Sequence, residues 1–477
     1  MRRLVAPLLR ILGTNWLTLF GTSVTTVSAI AMIGFFLLGL VGLANSPYIA
    51  LMALLVLPAI FVIGLLLIPL GIWIHRKRAK EVEEGKRPAA PEFPIIDFNK
   101  TTVRRVTGSV VGLTIVNLLI ISLASYEGVH YMDSTRFCGQ VCHTVMQPEY
   151  TAYRHSPHSR VACVDCHIGP GAPWFVRSKL SGLGQVYAVT FNTYERPIPS
   201  PVQNLRPSQD ICENCHWPER FTGDRVDVID KYQEDEANTP VRTVLLLHIG
   251  GGNRGTGIHS WHIKPGRQTY YYPSDERRQV IPWVQVREGD HVIDFAAEGF
   301  DPSTMDPTKI RKMDCIDCHN RPTHIFKMPG PAMDAALSDG RIDTSIPFIR
   351  KVGAEVLTEV GKTLGPAGDV SAKVLEYYER NQADYLKEHR ETVESAAQAI
   401  GVIYSRNVFP KMDLGWGYYP VNIGHHGDDF EGGCFRCHDG SHTNSDGKTI
   451  TSDCDTCHTL LAQDEENPKI LTELGIQ

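Results

Sequence analysis

The chain has 477 residues, 12 cysteines and a formal net charge of −6 at pH 7. A chain of this length forms two or three structural units instead of one core. The near-neutral charge balance and the lack of a basic, aromatic-rich stripe argue against a nucleic-acid-binding protein.

A long uncharged stretch near the N-terminus predicts two membrane-spanning helices. No Asp, Glu, Lys or Arg occurs between residues 11 and 74. One span needs about 20 apolar residues, so the stretch holds two, with a turn at Asn45-Ser46-Pro47. A second uncharged run, Val106 to Tyr126, predicts a third span. A cleaved signal peptide is the alternative for the first span, but its apolar core would be about 7–15 residues long.

The basic residues predict the orientation of these spans. Nine Lys and Arg residues lie between Arg76 and Arg105, in the loop that joins spans two and three. Positively charged loops stay in the cytoplasm. We therefore expect a cytoplasmic N-terminus in a bacterial inner membrane, with everything after Tyr126 in the periplasm.

All 12 cysteines occur in pairs, and a histidine closes every pair. C-x-x-C-H is the attachment pattern for c-type haem, in which two thiols bond the porphyrin and the histidine binds iron. Zinc sites, redox pairs and disulfides do not require a histidine after each pair. Six covalent haem c groups are therefore predicted. The motifs are Cys163/Cys166/His167, Cys212/Cys215/His216, Cys315/Cys318/His319, Cys434/Cys437/His438, Cys454/Cys457/His458 and a longer first one, Cys138/Cys142/His143.

The first motif, C-x-x-x-C-H, has one residue more between its cysteines than the others. One extra residue can be looped out without moving either thiol far, so we expect a haem here too. A disulfide or an unused vestige are the alternatives.

Haems that only carry electrons are held on both faces by His/His or His/Met. Histidines outside the motifs cluster in "RHSPHSRVACVDCH", "GIHSWH", "CHNRPTH", "GHHGD" and "CHDGSH". These clusters contain His155 and His158, His259 and His262, His324, His425 and His426, and His442. Taking one from each predicts five second ligands, and Met146 is the nearby soft ligand for the first haem. The predicted set is His158, His262, His324, His425, His442 and Met146.

A membrane span followed by "CGQVCHTVM" and "SPHSRVACVDCH" resembles the NapC/NirT family of membrane quinol dehydrogenases, over about residues 137–216. The later "GWGYYPVNIGHHGDDFEGGCFRCHDGSHTN" resembles its longer, ImcH-like inner-membrane type. The resemblance implies that quinol, expected to be menaquinol, gives electrons that pass to a periplasmic multihaem cytochrome or reductase. It matches Met146 and His158 to iron ligands. It also implies a quinol pocket lined by a lysine and an acidic residue, for which Lys179 and Glu195 are the candidates.

This sequence departs from the short family members in three ways. They have one span and four haems, whereas this chain has three spans and six motifs. The first motif carries the extra residue, and the family's acidic position falls near Asn192. Two rival functions remain open: a terminal reductase, which needs an iron with an open side, and a relay subunit of a larger complex without a quinol site. Three spans favour a membrane partner or a homo-oligomer.

The predicted fold class is a mainly α membrane multihaem cytochrome with three transmembrane helices. Its periplasmic, haem-packed domain consists of helices and loops with a small β-rich insertion. Strand-like "TVLLLHI", "QTYYYPS" and "VIPWVQV" predict the insertion. Helical periodicity over residues 345–408 predicts a hairpin that separates haems four and five. The expected regions are 1–126 (membrane), 127–219 (haems 1–3), 220–310 (β-rich insertion) and 311–477 (haems 4–6 and the hairpin).

Overall fold

The computed structural model describes residues 16–40, 56–83, 97–141, 143–202, 205–217, 223–250, 256–425 and 432–476. The chain divides into two compact units, with the boundary between Phe137 and Cys138. The predicted turn at residues 45–47, the thiol of Cys142 and the alternative ligand His426 lie outside the described residues. Each unit is considered by itself.

The first unit contains three helices that are long and apolar enough to cross a membrane, as the sequence predicted. They are α1 (Trp16–Leu40), α2 (Leu57–Glu83) and α3 (Thr101–Met132). Helix α3 continues six residues past the predicted end of the span at Tyr126. It therefore carries the chain almost to the first cysteine motif.

Helices α1 and α2 pack closely because small residues face each other. A Cβ atom added to Gly21 would come within 2.9 Å of the carbonyl oxygen of Gly64. Thr18, on the same face of α1, is 1% exposed and lies against Gly71. Small residues let helix backbones approach in a membrane, where van der Waals packing drives association. The apolar length of α3, by contrast, is not buried within the structure.

Most cysteine motifs of the second unit begin on single helical turns. These turns are α5 (Cys163–His167), α7 (Gln209–Cys212), α9 (Cys315–Cys318), α15 (Cys454–Cys457) and a 3₁₀ turn at Gly433–Arg436. Positions i and i+3 of a helix share one face, so C-x-x-C on one turn points both thiols the same way. In two motifs the second cysteine, Cys215 or Cys437, follows just beyond the turn. Longer helices α4 (His143–Arg154) and α6 (Ala172–Thr190) connect the first three motifs.

Two antiparallel sheets form the predicted β-rich region. One has the order β1 (Arg225–Tyr232), β2 (Pro240–Leu247), β7 (His458–Glu465), and the other β5 (His291–Ala296), β4 (Trp283–Glu288), β3 (Arg267–Tyr272), β6 (Arg311–Lys312). A short helix, α8 (Ile258–His262), precedes β3. Because β6 and β7 come from beyond residue 310, the region is not a self-contained insertion. Strand β7 begins at the histidine of the sixth motif, which pairs in register with Leu247.

Five helices, not the predicted hairpin, lie between the fourth and fifth motifs. They are α10 (Pro329–Ser338), α11 (Ile349–Lys362), α12 (Ala367–Asn381), α13 (Ala383–Glu388) and α14 (Arg390–Asn407). The periodic residues Val352, Val356 and Val360 are buried in their common core, as the pattern indicated. A single hairpin cannot enclose that much apolar surface, so the additional helices complete the core. A short helix, α16 (Lys469–Glu473), ends the described chain.

Candidate haem sites

The first motif is accommodated by a wider helical turn. Residues Phe137–Val141 form one π-helical turn. Each backbone hydrogen bond of a π-helix spans one residue more than in an α-helix. Gly139 within it is buried, and any side chain there would overlap the ring of Tyr150. The turn thus absorbs the extra residue. Cys142 and the side chain of His143 lie outside the described part, so a haem at this motif stays a prediction.

Each of the other five motif histidines faces a histidine from outside the motifs. The ring centroids of the pairs are 5.9 to 6.4 Å apart. The pairs are His216 with His158 (6.0 Å), His167 with His324 (6.2 Å), His319 with His259 (6.4 Å), His438 with His262 (5.9 Å) and His458 with His425 (6.4 Å).

These separations fit one iron between each two rings. A histidine nitrogen binds a first-row metal at about 2 Å and lies about 1 Å from its own ring centroid. Two rings on opposite faces of one iron therefore have centroids about 6 Å apart. Direct stacking of the two rings would allow a closer approach. The spacing supports ligation by two histidines at these five motifs.

In several of these histidines, one ring nitrogen makes a hydrogen bond and the other is available to bind a metal. Nδ1 of His262 donates to the carbonyl oxygen of Ile258 (2.7 Å), and Nδ1 of His438 donates to that of Thr451 (2.6 Å). Nδ1 of His324 donates to the carbonyl oxygen of Glu149 (3.0 Å). A ligating histidine characteristically donates its second ring N–H in this way, which fixes the tautomer and the ring orientation. The free lone pair is then on Nε2.

Burial also favours the neutral form of these rings. Loss of solvation lowers the pKa of His262, His324, His259 and His319 below the usual value. Only neutral imidazole can bind a metal, so the environment prepares these side chains for ligation.

One predicted ligand, His442, binds other parts of the chain in the structure. Its side chain is 2% exposed. Nε2 lies 2.7 Å from the carbonyl oxygen of Ile281, and Nδ1 lies 2.8 Å from a carboxylate oxygen of Asp439. Both nitrogens thus lie against protein oxygens, and the ring holds two chain segments together. His259, instead of His442, faces the histidine of the fourth motif.

Sequence reasoning missed His259 because it assigned one ligand to each cluster. His259 and His262 both lie on α8, a helix of five residues. They face the histidines of two different motifs, the fourth and the fifth. Two histidines within one short helix were the available signal.

One predicted haem-binding residue, Cys215 of the third motif, is exposed. Helix α7 ends at Cys212, so Cys215 lies in the turn that follows on the surface. The amides of Cys215 and His216 both donate to the carbonyl oxygen of Cys212, at 3.1 and 2.8 Å. Cys166 and Cys454 are exposed as well. Attachment of a haem to Cys215 stays a prediction.

Thiols of consecutive motifs lie next to one another. Cys163 forms a hydrogen bond with Cys138, and Cys212 forms one with Cys315. Electrostatic interactions join Cys166 to Cys212 and Cys215, Cys318 to Cys434, and Cys457 to Cys434. The motifs therefore form a chain in sequence order, from first to sixth. The fourth and fifth are adjacent, so the prediction that the helical region separates their haems was wrong.

A cavity lies beside His262. Its volume is about 480 Å³, within the range of about 300–1,000 Å³ that is usual for small-molecule and cofactor sites. Its lining includes three basic residues, Lys264, Arg267 and Lys312, and two acidic ones, Asp210 and Glu213.

The residues predicted to take part in quinol oxidation lie on helices α4 and α6 and in the loop after α6. Met146 is half-buried on α4, three positions after His143 and thus on the same helix face. Val145 is buried against Phe409 and Leu414, which anchors α4. Lys179 is half-buried on α6, with Nζ 4.9 Å from the ring centroid of Phe175.

Glu195 is exposed in the loop that follows α6. Asn192 there adopts a left-handed conformation (φ 55°), and its side-chain oxygen accepts a hydrogen bond from Arg196 at 2.5 Å. The loop therefore folds back on itself and leaves the Glu195 carboxylate in solvent.

Comparison with known proteins shows similarity to one cytochrome family and to several of its members. The N-terminal region of the NapC/NirT cytochrome c family matches residues 100–198. The cytochrome c-type protein ImcH of Geobacter sulfurreducens is 40% identical over 461 residues, which cover 95% of this chain and 89% of that protein. NrfH of Wolinella succinogenes is 26% identical over 122 residues, 25% of this chain and 68% of NrfH. TorC of Escherichia coli K12 is 34% identical over 128 residues, 23% of this chain and 30% of TorC. No solved structure matches.

Proposed function

Because the chain belongs to the NapC/NirT cytochrome c family, we propose that this membrane c-type cytochrome is a quinol dehydrogenase. It oxidises quinol, with menaquinol as the expected substrate, at the periplasmic face of the inner membrane. Six haems carry the electrons to a periplasmic cytochrome or reductase. The observation that carries this proposal is the set of five facing histidine pairs on motifs that contact each other in sequence order.

The paired histidines favour electron transfer over substrate reduction. A haem held by two axial side chains supplies one-electron transfer and has no open position for a substrate. Each of the five motif histidines whose ring is described faces a second histidine, and Met146 is available at the first motif. A terminal reductase would need at least one motif without such a partner.

The short connection after α3 supports a position of the first motif close to the membrane surface. Only five residues, 133–137, separate the end of α3 from Cys138. A chain advances at most about 3.6 Å per residue, so the first motif stays near the outer end of the span. The first haem is thus the proposed point of electron entry, with Met146 as its second ligand. A methionine ligand raises the potential of a haem, which suits an acceptor of electrons from quinol.

Helix α6 supplies the proposed quinol contact. Val176, Leu180, Leu183 and Tyr187 are exposed and spaced by four, three and four residues, so they form one apolar stripe. The segment from residue 166 to 194 has no acidic residue and carries Arg177 and Lys179. An apolar helix face edged by cations is typical of helices at a membrane interface. Lys179 lies at the edge of this stripe, where it can contact the polar head of a quinol.

Quinol oxidation releases protons as well as electrons, and the proposed pocket needs groups that take them. Lys179 is held over Phe175 beside the stripe. Glu195 is exposed and can exchange protons with solvent. We propose that the Lys179 ammonium group donates a hydrogen bond to a quinol oxygen, and that the Glu195 carboxylate receives the protons that the quinol releases on the periplasmic side.

A relay subunit of a larger respiratory complex is the second candidate. The apolar length of α3 is unburied, and Gly108 and Gly112 have no neighbouring atom within 4 Å of an added Cβ. Such a face can receive a membrane partner. In that case a partner subunit oxidises the quinol and this chain receives the electrons.

Anaerobic stopped-flow mixing of the purified chain with a menaquinol analogue separates the two candidates. The quinol dehydrogenase proposal predicts reduction of the haem absorption bands by quinol alone. Reduction by dithionite but not by quinol would overturn it, and recovery upon addition of a membrane partner would establish the relay function.

A further inference from the structure

A buried ion pair lies beside one of the facing histidines. Nη2 of Arg321 lies 2.9 and 2.8 Å from the two carboxylate oxygens of Glu149. The two side chains are 12% and 13% exposed. Glu149 is on α4, three residues beyond Met146, and Arg321 follows the histidine of the fourth motif by two residues.

This pair fixes His324 at both its ring and its backbone. Nδ1 of His324 donates to the carbonyl oxygen of Glu149 at 3.0 Å, and a carboxylate oxygen of Glu149 lies 3.2 Å from the same nitrogen. Nε of Arg321 donates to the carbonyl oxygen of His324 at 2.8 Å. The ring of His324 also faces that of His167, the histidine of the second motif, with centroids 6.2 Å apart.

Aromatic side chains hold Arg321 in place. Its guanidinium carbon lies 3.8 Å from the ring centroid of Tyr419 and 5.1 Å from that of Phe326. Tyr419 in turn donates from its hydroxyl to the carbonyl oxygen of Ile198 at 2.7 Å. Because Arg321 is clamped, the Glu149 carboxylate is held beside His324 instead of turning to solvent.

We infer that Glu149, held by Arg321, is a positioning residue for the second haem that orients His324 and favours the oxidised iron. The inference rests on the proposed assignment of His324 and His167 as the two ligands of that haem. A carboxylate near Nδ1 raises the basicity of a ligating histidine. Greater electron donation stabilises ferric over ferrous iron and lowers the potential. The Glu149 carboxylate also compensates the positive charge of Arg321, which alone would favour the ferrous state. Nδ1 of His262 and of His438, by comparison, donates to the carbonyl oxygens of Ile258 and Thr451.

The test is Glu149→Gln in the full-length, haem-loaded chain, followed by a redox titration with mediators. Gln keeps the backbone carbonyl bond to His324 but removes the charge and leaves Arg321 uncompensated. We expect the equilibrium constant for the reduction of one of the six haems to rise about tenfold or more. A tenfold rise corresponds to about 59 mV for a one-electron couple. Glu149→Asp retains the charge, so the potential of that haem should stay close to its wild-type value.

Asp334→Asn is the matched control. Asp334 forms a comparable buried pair with Arg350, at 3.0 Å and with side chains 9% and 16% exposed, within the helical region. This variant loses the same charge away from the motif histidines, so all haem potentials should stay unchanged. Unchanged potentials in Glu149→Gln, or equal shifts in both variants, would overturn the inference.

The choice of reductant and one further variant separate this inference from the functional proposal. The titration uses chemical reductants, so it does not depend on whether quinol reacts with the protein. His324→Ala should convert one haem from low to high spin in the electron paramagnetic resonance spectrum of the oxidised protein. If all haems stay low-spin, His324 is not a ligand and the positioning role of Glu149 is refuted, whereas quinol oxidation remains possible. If Glu149→Gln does not accumulate, Glu149→Met replaces it in the titration, because methionine is of similar length and also lacks the charge: easier reduction of one haem supports the inference, and unchanged potentials contradict it.

Discussion

The rings of His259 and His319 face each other almost in parallel, with centroids 6.4 Å apart and an interplanar angle of 19°. His259 precedes His262 by three residues on helix α8, and His262 faces His438. One short helix therefore presents histidines to both the fourth and the fifth motif. We expect any displacement of α8 to affect two neighbouring steps of the proposed electron path.

The first prediction concerns the ligand at the fourth motif. His259→Ala should leave the iron there with one axial histidine, so one haem changes from low to high spin. Electron paramagnetic resonance of the oxidised protein measures this directly. His442→Ala is the control: it should keep all haems low-spin while lowering the free energy of unfolding by about 1–3 kcal/mol, because buried hydrogen-bond partners lose their bonds. The opposite pattern would restore His442 as the ligand.

The second prediction concerns the number of haems. The alkaline pyridine spectrum of the purified protein should give six c-type haems per chain, because six motifs carry two thiols and a histidine. Cys138→Ala should weaken or abolish attachment at the first motif and leave the other five. A count of four or fewer in the unmodified protein would contradict the interpretation of the motifs.

The third prediction concerns electron entry at the first motif. Met146→Ala should slow quinol-driven haem reduction by about tenfold or more, equivalent to about 1.4 kcal/mol of activation free energy. Dithionite should still reduce every haem. Met328→Ala is a suitable control because Met328 is 49% exposed and far along the chain from the first motif. Equal quinol kinetics in the two variants would remove Met146 from the entry site.

The fourth prediction concerns the quinol contact on α6. Lys179→Ala should lower kcat/KM for quinol by about tenfold, because a cation that contacts the quinol head contributes on this scale. Lys373→Ala, on the surface of α12 and paired with Glu359 at 2.8 Å, removes the same charge without an expected effect. Wild-type turnover in Lys179→Ala would leave that lysine as an interfacial cation only.

Local patterns in the sequence were sufficient for the membrane helices and the haem motifs. Uncharged length decides whether a helix can span a bilayer, and the spacing of thiols and histidine decides haem attachment. Both are properties of adjacent residues. The family resemblance, read from the residues around the first three motifs, is confirmed by the similarity to ImcH along most of the chain.

Long-range contacts account for what the sequence left open. His167 faces His324, which is far away in the sequence. His458 faces His425, although the whole fifth motif lies between them in the sequence. Nearness in sequence therefore does not identify which histidines face each other. His442 was predicted from its position just after a motif, but the carbonyl oxygen of Ile281, from a distant segment, binds its ring. Strand β7 likewise joins β2 from over two hundred residues away. The pattern of residues within one strand cannot predict which distant strand it pairs with.

The most direct test of the central claim is an experimental structure of the haem-loaded protein by electron cryomicroscopy. We expect an iron between the two rings of each of the five histidine pairs, and a chain of haems that follows the order of the motifs. An iron bound by His442, or a second-motif iron that does not lie between His167 and His324, would contradict the account.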